Sequence, residues 1–142
     1  MLRDTLIPAE IVQAYLSTEF RVLGGTHFTL HLNQTCPELL MLYHQSSVQC
    51  AAFLTAWNPY SEVLSAADNE GAQRFLLKAI DDLKLRVIPG IGLDPSGEWK
   101  GEPSCLVLGM TYVVARDTGN RFKQNAIVWA GSNGIPELIL LR

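Results

Sequence analysis

The chain predicts one α+β domain over residues 1–142, with helices packed on a mixed parallel and antiparallel sheet of about five or six strands. Three observations carry this expectation. The run Cys50–Trp57 is apolar on both faces and stops at Asn58-Pro59, as a central strand entering a loop does. A capped amphipathic stretch, Ser65–Lys84, then leads to a second apolar run, Arg86–Leu93, and a crossover helix makes the strands it joins parallel. Near the C-terminus, Asn133-Gly134 between apolar runs is the strongest short-range hairpin signal.

The elements follow in order. A first helix is expected over about Pro8–Phe20, with Pro8 tolerated in the first turn, Glu10 near the positive end of the dipole, and Tyr15 and Phe20 as anchors. Alternation in His27–Leu32 puts Phe28, Leu30 and Leu32 on the buried face of strand one. Pro37 and Glu38 open a short helix to about Tyr43, and Cys50–Trp57 is strand two. In the next helix Ser65 and Asp68 resemble a capping box, and Ala72, Phe75, Leu76, Ala79, Ile80 and Leu83 form the apolar stripe. Its outer face offers Glu70 to Arg74 and Lys78 to Asp82 at i,i+4 spacing, each pair worth about 0.2–0.5 kcal/mol. Strand three covers Arg86–Leu93, strand four Ser104–Leu108, a further helix Thr111–Phe122, strand five Gln124–Ala130 and the final strand Glu137–Leu141.

Composition narrows the function classes. A chain of 142 residues, 48% hydrophobic and 18% charged, buries roughly 70% of its unfolded surface and needs no disulfide staples. The net charge of -3, with Lys and Arg scattered, argues against a dedicated nucleic-acid surface. Cys36, Cys50 and Cys105 are odd in number and widely spaced, which suits free thiols rather than a disulfide framework or a zinc knuckle. The first ten residues interrupt their apolar positions with Asp4, Pro8 and Glu10, unlike a secretory leader, and no run reaches the length of a membrane span; a cytoplasmic protein is the expectation.

Topology then gathers a set of polar residues. If strands two and three both run upward, strand three ends at the top at Asp94, strand four descends from Ser104, and strand five begins at the top with Gln124. Asn58, Ser61, Asp94, Trp99, Glu102, Ser104, Gln124 and Asn125 then share one edge of the sheet. The stretch Gly90–Ser104, from the end of strand three to the start of strand four, is rich in Gly and Pro and carries three carboxylates, Asp94, Glu98 and Glu102, around a tryptophan, the kind of rigid segment on which sites are built. Asp94 and Glu102 are the candidate acid–base pair, although Asp94-Pro95-Ser96-Gly97 also fits a type I turn at every position. Trp99 offers either a cap on the core or a stacking face for a planar ligand.

Other chemistry finds less support. His27 and His31 share a strand face but lie roughly 13 Å apart, too far to share an ion, so no metal is expected. Ser104 lacks a nucleophile elbow and an identifiable His partner. Gly90-x-Gly92 lacks the third glycine and following helix of a dinucleotide fingerprint, and no cofactor is indicated.

One resemblance covers nearly the whole chain. Ala14-Tyr15 with Thr18 and Phe20, Thr55-Ala56-Trp57-Asn58-Pro59 with Ser61, Asn69 with Arg74, Gly92-x-Asp94-Pro95-x-Gly97-x-Trp99 with Glu102-Pro103-Ser104, and Phe122-x-Gln124-Asn125-Ala126 together resemble an uncharacterised bacterial family, domain of unknown function 3293. The family brings no activity to carry over. Its polar positions, here Asn58, Ser61, Asn69, Arg74, Asp94, Trp99, Glu102, Ser104, Gln124 and Asn125, mostly coincide with the topological edge. Lys123 departs from the pattern, where glycine is expected for a left-handed helix cap. Three readings stay open: binding of a polar small molecule or nucleotide at this edge, a hydrolase or transferase using Glu102 or Asp94 as general acid or base, and a protein-interaction module anchored by Trp99 and Tyr60.

Overall fold

A computed structural model describes residues 5–142. The chain order is helix α1 (Ala9–Ser17), strands β1 (Glu19–Val22) and β2 (Phe28–Leu30), helix α2 (Pro37–Ser46), strand β3 (Ala51–Leu54), a single helical turn Pro59–Ser61, helix α3 (Ala66–Asp82), strands β4 (Arg86–Leu93) and β5 (Glu102–Leu108), helix α4 (Tyr112–Arg121), and strands β6 (Ala126–Ala130) and β7 (Pro136–Leu140). Among the described residues no helix is long and apolar enough to cross a membrane.

The seven strands form one sheet in the order β2-β1-β4-β5-β3-β6-β7, and every pairing is antiparallel. This corrects the expectation of a mixed sheet of five or six strands. Strands β3 and β4 do run in the same direction, since both are antiparallel to β5, but β5 lies between them and no parallel pair forms. A crossover helix fixes the direction of the strand it delivers, whereas adjacency depends on which strand fills the gap. Here β5 fills it: Ser104–Leu108 is buried throughout, and only a central strand covered on both faces accommodates such a run.

The strand absent from the sequence reading is β1. Phe20, expected at the end of the first helix, sits instead in β1, opposite Leu30 of β2 and Gly92 of β4. The helix stops at Ser17, and the Thr18 hydroxyl donates to Ala14 O (2.6 Å) where the backbone turns extended. The final pair, β6 and β7, is a hairpin, but its connection spans residues 131–135 and carries positive φ only at Gly134, so it is longer than a two-residue Asn-Gly turn.

Two apolar layers sandwich the sheet. On one face α2 packs Leu39 and Tyr43 against Ala51, Phe53, Leu106, Leu108 and Val128. On the other, α3 and α4 bring Leu76, Ile80 and Ala115 onto Ala52, Leu54, Cys105, Val107 and Ile127. Helix α3 starts as its sequence requires, with the Asp68 N–H donating to Ser65 Oγ at 3.1 Å. Lys78 pairs with Asp82 at 2.7 Å, while among the described residues no Glu70–Arg74 ion pair forms. Helix α1 has no buried residue. It lies over the α2 face at the opposite end of the sheet, and a space remains beneath it.

Candidate functional site

The C-terminal ends of β3 and β4 and the N-terminal ends of β5 and β6 meet at one end of the sheet, because antiparallel pairing alternates their directions. Asn58, Asp94, Glu102 and Gln124 all follow or open these strands at that end. Below α1, Asn58, Glu102 and Gln124 border a cavity of about 250 Å³ whose floor includes Phe20, Phe53, Val128 and Leu138 and whose rim also includes Ser61, Trp99 and Ser104.

Asn58 organises the polar side of this cavity. Its backbone is left-handed (φ 47°), a conformation asparagine tolerates better than most residues, and it bonds in four directions. Its Nδ2 donates to Glu102 Oε2 (2.9 Å), its Oδ1 accepts from Leu64 N–H (3.0 Å) and Asn69 Nδ2 (2.8 Å), and its own N–H donates to Asn69 Oδ1 (2.8 Å). Asn69, on the inner face of α3 and 2% exposed, thus clamps both the main chain and the side chain of Asn58. One turn on, Gln73 accepts from Ala56 N–H at 2.9 Å, fastening the same loop to the helix.

A second chain of hydrogen bonds runs to α1. Asn125, also 2% exposed, accepts from Arg142 Nη1 (3.1 Å) and donates through Nδ2 to Ser61 Oγ (3.1 Å), which lies 2.9 Å from the Tyr15 hydroxyl. The loop between these residues is tightly wound: Asn58, Tyr60 and Ser61 all have positive φ. Such conformations cost of order 1–3 kcal/mol each and persist only where surrounding contacts over-determine them. Those contacts are present, since Tyr60 N–H donates to Lys123 O (2.7 Å) and the Arg142 guanidinium stacks 4.1 Å over the Tyr60 ring. Lys123 itself is left-handed (φ 55°) and closes a Schellman motif, with Gln124 N–H on Gly119 O and Lys123 N–H on Asn120 O. The lysine at the glycine position is therefore strained rather than uncapped.

The two carboxylates have different fates. Asp94 is half-buried, outside the cavity, and occupied by its own turn, where it accepts from Ser96 Oγ (2.7 Å) and from the N–H groups of Ser96 and Glu98 (2.9 Å each). The Ser96 hydroxyl and these N–H groups hold its carboxyl below the usual range. Glu102 lines the cavity; burial pushes its carboxyl up, and the Asn58 hydrogen bond draws it partly back. The structure therefore brings Glu102, Asn58, Ser61, Trp99, Ser104 and Gln124 together, places Asn69 and Asn125 behind them, and leaves Asp94 and Arg74 out of the lining. Arg74 is on the exposed face of α3.

Sequence reasoning missed Tyr15 and Gln73 as members of the network. A signal for Gln73 was present, since Asn69, Gln73, Leu76 and Ile80 fall on one helical stripe and a polar residue there must be satisfied inside. Among the described residues no three His, Cys, Asp or Glu side chains are grouped so as to hold a metal ion.

The raised carboxyl of Glu102 has a consequence for stability. The folded chain holds this proton more tightly than the unfolded one, so stability is full at low pH and falls as pH rises from the ordinary glutamate value through the raised one. Glu102→Gln removes that loss and still offers an oxygen to Asn58. Denaturant titrations are expected to show the variant more stable than wild type at pH 7.5 and equal to it near about pH 3.5, where both states are protonated. A gap that does not change with pH would contradict this account.

No curated protein and no solved structure matches the chain. A family model described as "Protein of unknown function (DUF3293)" matches residues 54–127, just over half of the chain. The matched span holds Asn58, Asn69, Glu102, Ser104, Gln124 and Asn125, while the α1 roof and Arg142 lie outside it. On that match the chain belongs to this family of proteins of unknown function.

Proposed function

We propose that the chain binds a small polar molecule in the cavity between α1 and the sheet. The observation that carries the reading is the cavity itself, about 250 Å³ of largely apolar-walled space beneath α1, with a carboxylate on its wall. Protein interiors leave few voids larger than a water, and ligand sites are mostly apolar clefts with a few convergent polar groups. This volume is at the small end of that class. The aromatic walls suit a nucleobase, but among the described residues the phosphates of a nucleotide find no Lys or Arg in the lining.

Two other readings draw less support. Glu102 has the raised pKa of a general acid, but Asp94 is outside the lining and spent on its turn, so the second carboxylate of an acid–base pair is missing there. An interaction surface anchored by Tyr60 and Trp99 has to compete with the Arg142 guanidinium stacked on Tyr60 and with the place of Trp99 in the cavity lining.

Gly92 supplies the test. A Cβ there would sit 3.6 Å from Thr18 Cγ2, ordinary contact under α1, so Gly92→Val adds volume to the cavity wall on a strand that suits valine. In a thermal-shift screen of a metabolite library, a compound at about 100 times its Kd is expected to add roughly 2.7 kcal/mol to wild type and much less to the variant. If every compound that shifts wild type shifts Gly92→Val equally, the cavity is not the site.

A further inference from the structure

We propose that the cavity selects an organic cation, a protonated amine on a compact apolar body. This rests on the cavity-binding reading and adds the ligand's charge and shape. Among the described residues Glu102 is the only charged side chain in the lining, and no Lys or Arg joins it there. Its Oε2 is held by Asn58 Nδ2, while Oε1 has no hydrogen-bond partner among the described residues and is not sealed from solvent. A carboxylate withdrawn from water without a counter-charge is costly, and a bound cation removes that cost.

The rest of the wall points the same way. Five aromatic side chains, Tyr15, Phe20, Phe53, Trp57 and Trp99, border the space, and the negative faces of such rings attract alkylammonium groups. The two amide NH2 groups of the lining are already committed. Asn58 Nδ2 serves Glu102, and Gln124 Nε2 donates to Trp57 O and Phe122 O at 3.3 Å each. The Ser61 and Tyr15 hydroxyls bond one another. An anionic ligand would therefore meet a carboxylate, π faces and spent amide donors, whereas a cation meets one free carboxylate oxygen. A glutamine at position 102 would serve Asn58 equally well, so the structural role of the side chain does not account for its charge.

Calorimetric titration at pH 7.5 with 2-phenylethylamine, 2-phenylethanol and 3-phenylpropanoate separates charge from shape. The amine is expected to bind wild type at least about tenfold more tightly than the alcohol, the propanoate more weakly still, and Glu102→Gln to lose about tenfold for the amine while holding the alcohol within about twofold. A thermal melt of Glu102→Gln establishes that it is folded. Equal or tighter binding of the alcohol or propanoate overturns the charge preference and leaves the cavity reading standing. Amine binding that Glu102→Gln leaves undiminished overturns it too, because the amine then sits elsewhere. Binding by none of the three also overturns it, and the Gly92→Val screen then decides the cavity reading separately.

Discussion

Asn58→Ala is expected to destabilise the chain by about 3 kcal/mol, several times the effect of an ordinary surface substitution. Three losses combine. Alanine in the left-handed region costs roughly 1 kcal/mol more than asparagine or glycine. The Glu102 carboxylate loses its donor inside the cavity, and Asn69 Nδ2, on a residue 2% exposed, is left with only the 3.4 Å contact to Leu64 O. An unsatisfied buried polar group costs about 1–3 kcal/mol, more where it is charged. Asn58→Gly separates the terms, because it keeps the backbone conformation without the side chain, and it is expected to recover about 1 kcal/mol of the loss. Urea titrations measure both, and an Asn58→Ala midpoint corresponding to less than about 1 kcal/mol would mean that the loop holds its shape without this hub.

What could be read from the sequence was what local chemistry decides. Helix α3 was legible because its cap, stripe and i,i+4 pair are contained in one segment, and Ser65 Oγ and Lys78–Asp82 take the places their spacing assigns. Strand β1 was not, because Leu16 and Phe20 keep an apolar i,i+4 spacing and four residues, Glu19–Val22, are too few to set up a competing alternation. Sheet order failed for a different reason. The Ser65–Lys84 crossover correctly fixes the common direction of β3 and β4, but the entry of β5 between them is a long-range choice that no local pattern encodes. Direction alone was enough to bring Asn58 and Gln124 to one end of the sheet, where Gln124 Nε2 reaches Trp57 O.

The candidate site divides along the same line. Residues at strand ends, such as Glu102 and Gln124, follow from chain direction. Asp94 illustrates the limit, since Gly97 N–H donates to Asp94 O (3.0 Å) and closes the turn that its four-residue pattern announces, leaving the carboxylate no role in the cavity. Tyr15 illustrates the converse, because its approach to Ser61 depends on where α1 lies and nothing in the spacing of residues 9–17 reports that. Gly92 is paired in register with Phe20 and Glu102, and its missing side chain leaves room beneath α1 up to Thr18.

Gly90→Ala is expected to cost about 3 kcal/mol, although it adds a single methyl group. A Cβ at this position would sit 2.6 Å from Phe53 Cε2 and 2.9 Å from Arg21 O. The first neighbour is a ring and the second is main chain of β1, which is paired on its other edge to β2 and has little room to retreat. Overpacking of this kind costs about 1–3 kcal/mol, occasionally more, and strain against backbone lies at the upper end. The Phe53 ring that Gly90 accommodates also stands edge-on to Phe20 with centroids 5.6 Å apart, and both rings form the cavity floor. The substitution therefore presses the floor into the space where a ligand is proposed. Phe53→Leu shortens the ring that clashes, so in the double variant part of the cost should disappear, with a favourable coupling of at least about 1 kcal/mol. The contact with Arg21 O remains in that variant and keeps the rescue incomplete. Strict additivity in the denaturation cycle would show that the strain is held by the backbone of β1 alone, and the cavity floor would then be insensitive to this glycine.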